Sequence, residues 1–190
     1  MSVKEDGRRL RSAGSRRKII AAMLSLIQEG APEPPAEAVA QRAGVGLRTV
    51  FRLFNDIESV CAEMLVSQRL EFVDCFSRPF TAQEGAPRLR ELFGRLAVLY
   101  EKRMPLRRAA SARRYRSPSL ASGMKELDRV IDHFVRTQFP GDSAADAFRI
   151  DMLNLLLGYE AWMRLRDEQG KSEAETFEVL RRGIELVLKG

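Results

Sequence analysis

Apolar residues recur three and four positions apart along nearly all of this 190-residue chain, and no segment sustains the alternation that is typical of a β-strand. Glycine and proline residues fall between the periodic segments, where they end one helix before the next begins. The sequence therefore predicts an all-α protein. No internal repeat of about 30–45 residues is visible, which argues against a helical solenoid.

Nine helices are predicted from this periodicity and from residues that favour helix starts. Asn55 or Asp56 can cap the fourth helix, Ser117 precedes a proline at the start of the seventh, and Ser143 and Ser172 begin capping boxes. The predicted helices span about residues 15–29, 36–43, 47–53, 57–77, 87–103, 105–116, 118–138, 144–169 and 173–188.

The composition excludes several classes of protein. No apolar run approaches the roughly 18 residues that a membrane span needs, and the charged N-terminus does not resemble a secretory signal, so we expect a cytoplasmic location. One histidine and two cysteines are too few for a structural zinc site or a disulfide framework. We therefore expect no metal or other cofactor, and we expect Cys61 and Cys75 to be reduced.

Positive charge is concentrated in two stretches of a chain whose net charge is +6. Residues 4–18 and residues 102–116 each contain seven basic residues, whereas the segment from residue 117 onward holds more acidic than basic residues. Alone, such a run is most simply a solvated helix face. If the chain binds a polyanion, however, the charge favours its N-terminal part as the binding site.

Residues 36–53 predict a helix-turn-helix, because two short amphipathic helices flank a glycine-containing turn. Ala40 is small where the two helices must approach each other, and Gly44 stands where the chain leaves the first helix and needs a positive φ. The second helix of such a motif enters the major groove of DNA. A plain helical bundle can contain the same pattern, so the flanking sequence matters. The inward-facing residues would be Val39, Ala43, Val45, Val50 and Leu53.

From about Arg17 to Val66, this motif together with its flanking sequence resembles the TetR/AcrR family of bacterial transcriptional regulators. The resemblance covers about 50 residues, with a weaker echo around Trp162 and residues 170–188. It implies a three-helix DNA-binding domain on a larger all-α regulatory domain, a homodimer joined by the last two helices, and a small ligand that weakens DNA binding. The residues that carry it are 17–22, 29–30, 39–45, 49–54, Asp56, Glu58 and Val60.

Three positions depart from the family pattern and affect the expected contacts with phosphate. The family usually has serine or threonine at Gly46, often an aromatic hydroxyl at Phe51 and commonly a lysine at Ile57. The basic residues of segment 8–18 and the backbone amides that begin the fourth helix are expected to compensate. Arginine can read guanine, and threonine can bind phosphate. The predicted DNA-binding residues are Arg16, Arg17, Gly46, Leu47, Arg48, Thr49, Phe51, Arg52 and Ile57.

The chain is divided by prediction into a basic N-terminal arm (residues 1–14), a DNA-binding domain (15–56) and a ligand-binding and dimerisation domain (57–190). The last two predicted helices have broad apolar faces, which either pack within one chain or form a bundle with a second copy. The predicted dimer interface consists of Leu153, Leu156, Leu157, Phe177, Leu180, Ile184, Val187 and Leu188.

A ligand pocket is harder to locate, because an aromatic stripe at helical spacing is more often core than binding site. Mixed aromatic and apolar walls with a few polar groups suit an organic ligand, and an arginine would neutralise an anionic one. His133 is interpreted as a bystander. The candidate ligand-binding residues are Leu96, Tyr100, Arg103, Phe134, Met152, Leu155, Tyr159 and Trp162.

The leading hypothesis is therefore a homodimeric repressor, which binds a palindromic operator in double-stranded DNA and is released by a small organic ligand. A helical adaptor that binds an acidic protein is the main alternative. An enzyme is less favoured, because the sequence lacks a catalytic triad, a metal cluster and a phosphate-binding loop.

Overall fold

A computed structural model describes residues 3–113, 118–141 and 143–189, with side chains described outside 3–9, 11, 65, 67–70, 110–113 and 118–127. Within these residues the protein is all-α, which confirms the predicted fold class. The elements are α1 (Val3–Gln28), α2 (Ala36–Ala43), α3 (Leu47–Leu53), α4 (Ile57–Ser77), α5 (Ala86–Arg113), α6 (Pro118–Gln138), α7 (Ala144–Leu157), α8 (Tyr159–Met163), a π-helical turn (Arg164–Glu168) and α9 (Glu173–Lys189).

The first helix begins at Val3, so the predicted start at residue 15 is wrong and most of the predicted arm is helical. Residues 3–14 contain no proline and include several good helix formers, and Gly14 is tolerated inside the helix. The side chains of Arg8, Arg9 and Arg11 lie outside those described, as does the predicted boundary at residues 116–117.

Two other predicted boundaries are also wrong. Pro105 lies inside α5, where its neighbours Met104 and Leu106 are both buried, so packing on either side offsets the hydrogen bond that proline removes. Gly158 instead divides the predicted helix 144–169, because its backbone is extended at φ −65° and ψ 145°. A Cβ atom at this glycine would lie 3.2 Å from the carbonyl oxygen of Asn154.

The chain forms two compact units. Unit 1 contains residues 1–69 and 105–121, and unit 2 contains residues 70–104 and 122–190. Each unit has its own apolar cluster, with Cys61 buried in the first and Cys75 in the second, and neither cysteine forms a disulfide. The predicted domain boundary after residue 56 stays a prediction. None of the helices described is long and apolar enough to cross a membrane.

Candidate nucleic-acid interface

The turn between α2 and α3 has the geometry that the sequence predicts. Gly44 adopts the left-handed conformation with φ 64°, and its N–H donates to the carbonyl of Gln41, while the N–H of Val45 donates to that of Ala40. This pair of bonds ends α2 and requires a residue without a Cβ penalty at Gly44. Ala40 is buried, so α1–α3 pack closely in unit 1.

The start of α3 has no side-chain cap, as expected from Gly46. The Gly46 carbonyl accepts hydrogen bonds from the N–H groups of Thr49 and Val50, at 2.8 and 3.4 Å. At the other end, the N–H of Phe54 donates to the Val50 carbonyl at 2.8 Å. Val50 and Phe54 are buried, and these contacts fix which face of α3 points away from the core of unit 1.

The outward face of α3 combines two arginines with two apolar side chains. Arg48, Arg52, Leu47 and Phe51 are all exposed, and Thr49 is half-buried at the margin. Among the residues whose side chains are described, Arg48 and Arg52 have no hydrogen-bond or ion-pair partner. Exposed guanidinium groups without a protein partner are available to phosphates or to guanine bases.

Arg42, by contrast, lies on α2 with its charge already neutralised. Its Nη1 and Nη2 atoms donate to the two carboxylate oxygens of Glu29 at 2.6 and 2.7 Å, and Nη1 also donates to the hydroxyl of Ser25. The hydrogen bonds that Glu29 accepts from Arg42, and a further one from the Ser25 hydroxyl, lower the pKa of Glu29 to about 2. The Arg42–Glu29 ion pair joins α2 to the C-terminal end of α1 and so helps to hold the helix-turn-helix in place.

Arg16 is also engaged within the protein, which argues against its predicted role in DNA binding. Its guanidinium donates to both carboxylate oxygens of Glu63, with Nε 2.7 Å from each, and its Nη1 donates to the Leu53 carbonyl at 2.7 Å. The guanidinium also lies 4.3 Å above the centre of the Phe54 ring. Arg16 thus joins α1 to α4 and to the C-terminal end of α3. Arg17, one residue on, is exposed.

Replacing Arg16 with alanine is expected to lower the free energy of unfolding by about 1–2 kcal/mol. The ion pair is half-exposed and screened, so most of this loss comes from the carbonyl of Leu53 and the contact with Phe54. Urea denaturation followed by circular dichroism measures the change, with Arg17→Ala as the matched control. Equal stability of the two variants would refute the structural role of Arg16.

At the start of α4, the sequence predicts backbone amides that are available to an anion, but the amide of Ser59 already has a partner within the protein. The Asp56 carboxylate accepts hydrogen bonds from the N–H and the hydroxyl of Ser59, both at 2.7 Å, and these bonds lower the pKa of Asp56. Asp56 is therefore the helix cap, and its negative charge disfavours a phosphate there. Ile57 packs against the apolar cluster of unit 1, and its contact with DNA stays a prediction.

Half of the candidate ligand-binding residues lie in the core of unit 2. The Tyr100 hydroxyl donates to the Leu157 carbonyl at 2.8 Å, and the Tyr100 ring contacts the ring of Tyr159 edge-on at 4.9 Å. Trp162 is fully buried, and its Nε1 donates to Glu101 at 3.1 Å. These contacts favour the core interpretation for the four buried candidates, Leu96, Tyr100, Tyr159 and Trp162.

The other four candidates have unlike environments. Arg103 lies 3.7 Å from the Glu71 carboxylate, and burial lowers its pKa. The Phe134 ring packs against those of Phe76 and Phe80. Met152 is half-buried and Leu155 is 62% exposed. The eight residues are therefore divided between core and surface, and their role in binding a ligand stays a prediction.

The predicted dimer interface lies on α7 and α9. Leu153, Leu157, Leu180 and Ile184 are buried within the chain's own core, so they are not available to a second copy. The other four predicted residues, Leu156, Phe177, Val187 and Leu188, are partly buried against that core. The exposed apolar residues on α7 and α9 are Phe148, Leu155, Val179 and Leu186.

The regular spacing of these four exposed residues is visible in the sequence. Phe148 and Leu155 are seven residues apart, as are Val179 and Leu186, which places each pair on one side of its helix. We name these four residues the outer apolar stripe. Gly183 of α9 lies so close to Leu156 of α7 that an added Cβ would be 3.1 Å from its Cδ2 atom, so α7 and α9 pack tightly on each other.

Solved structures with similar folds are transcriptional regulators. A regulator from Rhodococcus sp. RHA1 is 20% identical with a TM-score of 0.73, over 92% of this chain and 96% of that one. A TetR regulator from the same organism is 16% identical with a TM-score of 0.56, over 92% and 96%. A protein from Mesorhizobium loti assigned to the TetR family is 22% identical with a TM-score of 0.56, over 94% and 97%.

These similarities establish the fold of the chain, which is that of TetR-type transcriptional regulators. No protein-family model matches the sequence, and no curated protein matches it. The identities are too low to transfer a DNA sequence or a ligand, so any contact with DNA must be argued from the side chains of α3.

Proposed function

We propose that this protein is a member of the TetR/AcrR family and a sequence-specific DNA-binding regulator whose helix α3 enters the major groove. The observation that supports it best is the outward face of α3, where Arg48 and Arg52 are exposed and without a protein partner among the described side chains. In the same unit, Arg16 and Arg42 are paired with carboxylates. The unpaired arginines of α3 therefore lie on the helix that a helix-turn-helix presents to DNA.

The outer apolar stripe supports a homodimer. Isolated apolar side chains are ordinary on a protein surface, but Phe148, Leu155, Val179 and Leu186 lie on two helices that pack on each other. A two-fold symmetric pair of such surfaces would form a four-helix bundle and place two recognition helices on a palindromic operator, about 34 Å apart.

We further propose that the protein acts as a cytoplasmic repressor and that a small organic ligand bound in unit 2 releases it from DNA. Ligand binding would favour a dimer whose α3 helices no longer match the spacing of the operator. The partners are then the operator DNA, a second copy of the chain and the ligand. No observation among the described residues favours the adaptor or the enzyme over this function.

The proposal is tested by binding the purified protein to DNA from just upstream of its own gene and to unrelated DNA of equal length. The two titrations are made at about 50 and about 200 mM salt, a range over which non-specific binding weakens strongly. Preference for one palindromic fragment at the higher salt supports the proposal. Equal binding to all fragments, lost at higher salt, would reduce the interaction to general attraction between opposite charges.

Replacing Arg48 with alanine is expected to lower operator affinity by about 1–3 kcal/mol and to relax preference at one base pair, because arginine reads guanine through O6 and N7. Fluorescence anisotropy with operator variants measures both effects. Arg136→Ala is the matched control, since Arg136 is an exposed arginine paired with Asp132 in unit 2. If Arg48→Ala binds every variant as the parent protein does, Arg48 does not read a base.

A further inference from the structure

We propose that Leu47 and Phe51 read the 5-methyl groups of thymines in the operator, an inference that rests on the proposed function. Both side chains lie on the outward face of α3, where Leu47 is 36% and Phe51 48% exposed. They are four residues apart, so they are neighbours along one side of the helix. Arg48 and Arg52 have the same spacing one residue further on, so α3 presents an apolar row beside a cationic row.

The exposure of these two side chains is not required by packing. Val50 already fills the inward side of α3 at 0% exposure, and Leu53 packs against the same cluster. Phe51 has no hydroxyl, so it cannot donate a hydrogen bond to a phosphate or to a base edge. Neither side chain has a hydrogen-bonding group, so burial against an apolar group is the contact in a groove that suits both Leu47 and Phe51.

The thymine methyl is the apolar group that the major groove displays on a base pair, and leucine and phenylalanine side chains are suited to contact it. Four residues of α-helix rise about 6 Å, which is a little under two base-pair steps of about 3.4 Å. The two side chains therefore match thymines one or two steps apart. The free guanidinium groups of Arg48 and Arg52 beside them complement the negative charge of DNA.

The test begins with selection of high-affinity duplexes from a random pool by the full-length protein. Each thymine of the selected half-site is then replaced singly by deoxyuridine, which removes only the 5-methyl group and leaves base pairing intact. We expect roughly a three- to tenfold loss of affinity, of the order of one buried methyl group, at one or two positions in each half-site. Deoxyuridine in the flanking sequence serves as the control.

The same duplexes are then tested with three variants. Leu47→Ala and Phe51→Ala are expected to bind the thymine and deoxyuridine duplexes equally at the position that each side chain reads. Phe51→Tyr keeps the ring and is expected to retain the preference for thymine. Circular dichroism verifies that each variant is folded. The deoxyuridine series uses the unchanged protein, so its result does not depend on the folding of any variant.

The failures of this inference and of the proposed function are distinguishable. If the parent protein selects a defined sequence but tolerates deoxyuridine everywhere in it, methyl reading is wrong and the DNA-binding function stands. If the alanine variants keep the sensitivity to deoxyuridine, other residues read the methyl groups, and the assignment to Leu47 and Phe51 is overturned. If no sequence is enriched from the pool, the proposed function fails and the inference fails with it.

Discussion

Replacing Leu186 with glutamate is expected to convert the proposed dimer to a monomer and to lower its affinity for a two-half-site operator by about 100-fold or more. Leu186 is 72% exposed in one chain and is the most exposed residue of the outer apolar stripe. If the stripe is the interface, glutamate there would bury an unpaired charge, which costs several kcal/mol. The two α3 helices would then bind separately and lose the gain in affinity that comes from being joined.

The measurements for this prediction are the molar mass in solution, from light scattering, and operator binding by fluorescence anisotropy. Val98→Glu is the matched control, because Val98 has 68% exposure in the same unit but lies on α5 rather than on α7 or α9. A monomeric Leu186→Glu variant should bind duplexes with one or two half-sites almost equally. If that variant stays dimeric with unchanged operator binding, α9 does not form the interface through this residue.

The sequence predicted the helix-turn-helix best, and local chemistry explains why. α2 and α3 occupy the predicted residues because Pro35, Gly44 and Gly46 each act on the backbone within one or two positions. Pro105 and Gly158 misled the prediction, because their effects depend on the packing of neighbouring residues, many of which are buried. A proline is tolerated inside a helix when the residues on either side of it are well packed, and that packing cannot be derived from the local sequence.

The sequence could not rank the candidate DNA contacts, because charge alone does not distinguish a free arginine from a paired one. Arg16 and Arg48 look alike in the sequence, but the partner of Arg16 is Glu63, 47 residues away. The predicted dimer interface includes residues that are buried within one chain for a related reason. Apolar residues recur at helical spacing on two sides of α9, so periodicity alone does not show which side faces the core. The structure shows that Ile184 is buried in the core and that Leu186 is exposed at the surface.

Trp162→Ala is expected to lower the free energy of unfolding by about 3–5 kcal/mol, the cost of removing a fully buried large aromatic side chain. Trp162 is 0% exposed, and its ring lies near that of Tyr100, with centroids 6.3 Å apart. Its Nε1–H also donates to Glu101, whose two carboxylate oxygens accept from Arg166 at 3.0 and 2.6 Å. The substitution therefore removes apolar packing and one bond of a partly buried polar network.

The size of the loss distinguishes a core residue from the wall of a ligand pocket. A side chain that borders an open pocket already lacks neighbours on one side, so its removal should cost under about 1 kcal/mol, whereas a fully packed one leaves a cavity. Trp162→Phe keeps most of the ring and is expected to fall between the parent and Trp162→Ala. Since Trp162 is the only tryptophan, urea unfolding is followed by circular dichroism, with Val98→Ala as the exposed control. A small loss for Trp162→Ala would overturn the core interpretation and restore Trp162 as a candidate for ligand binding.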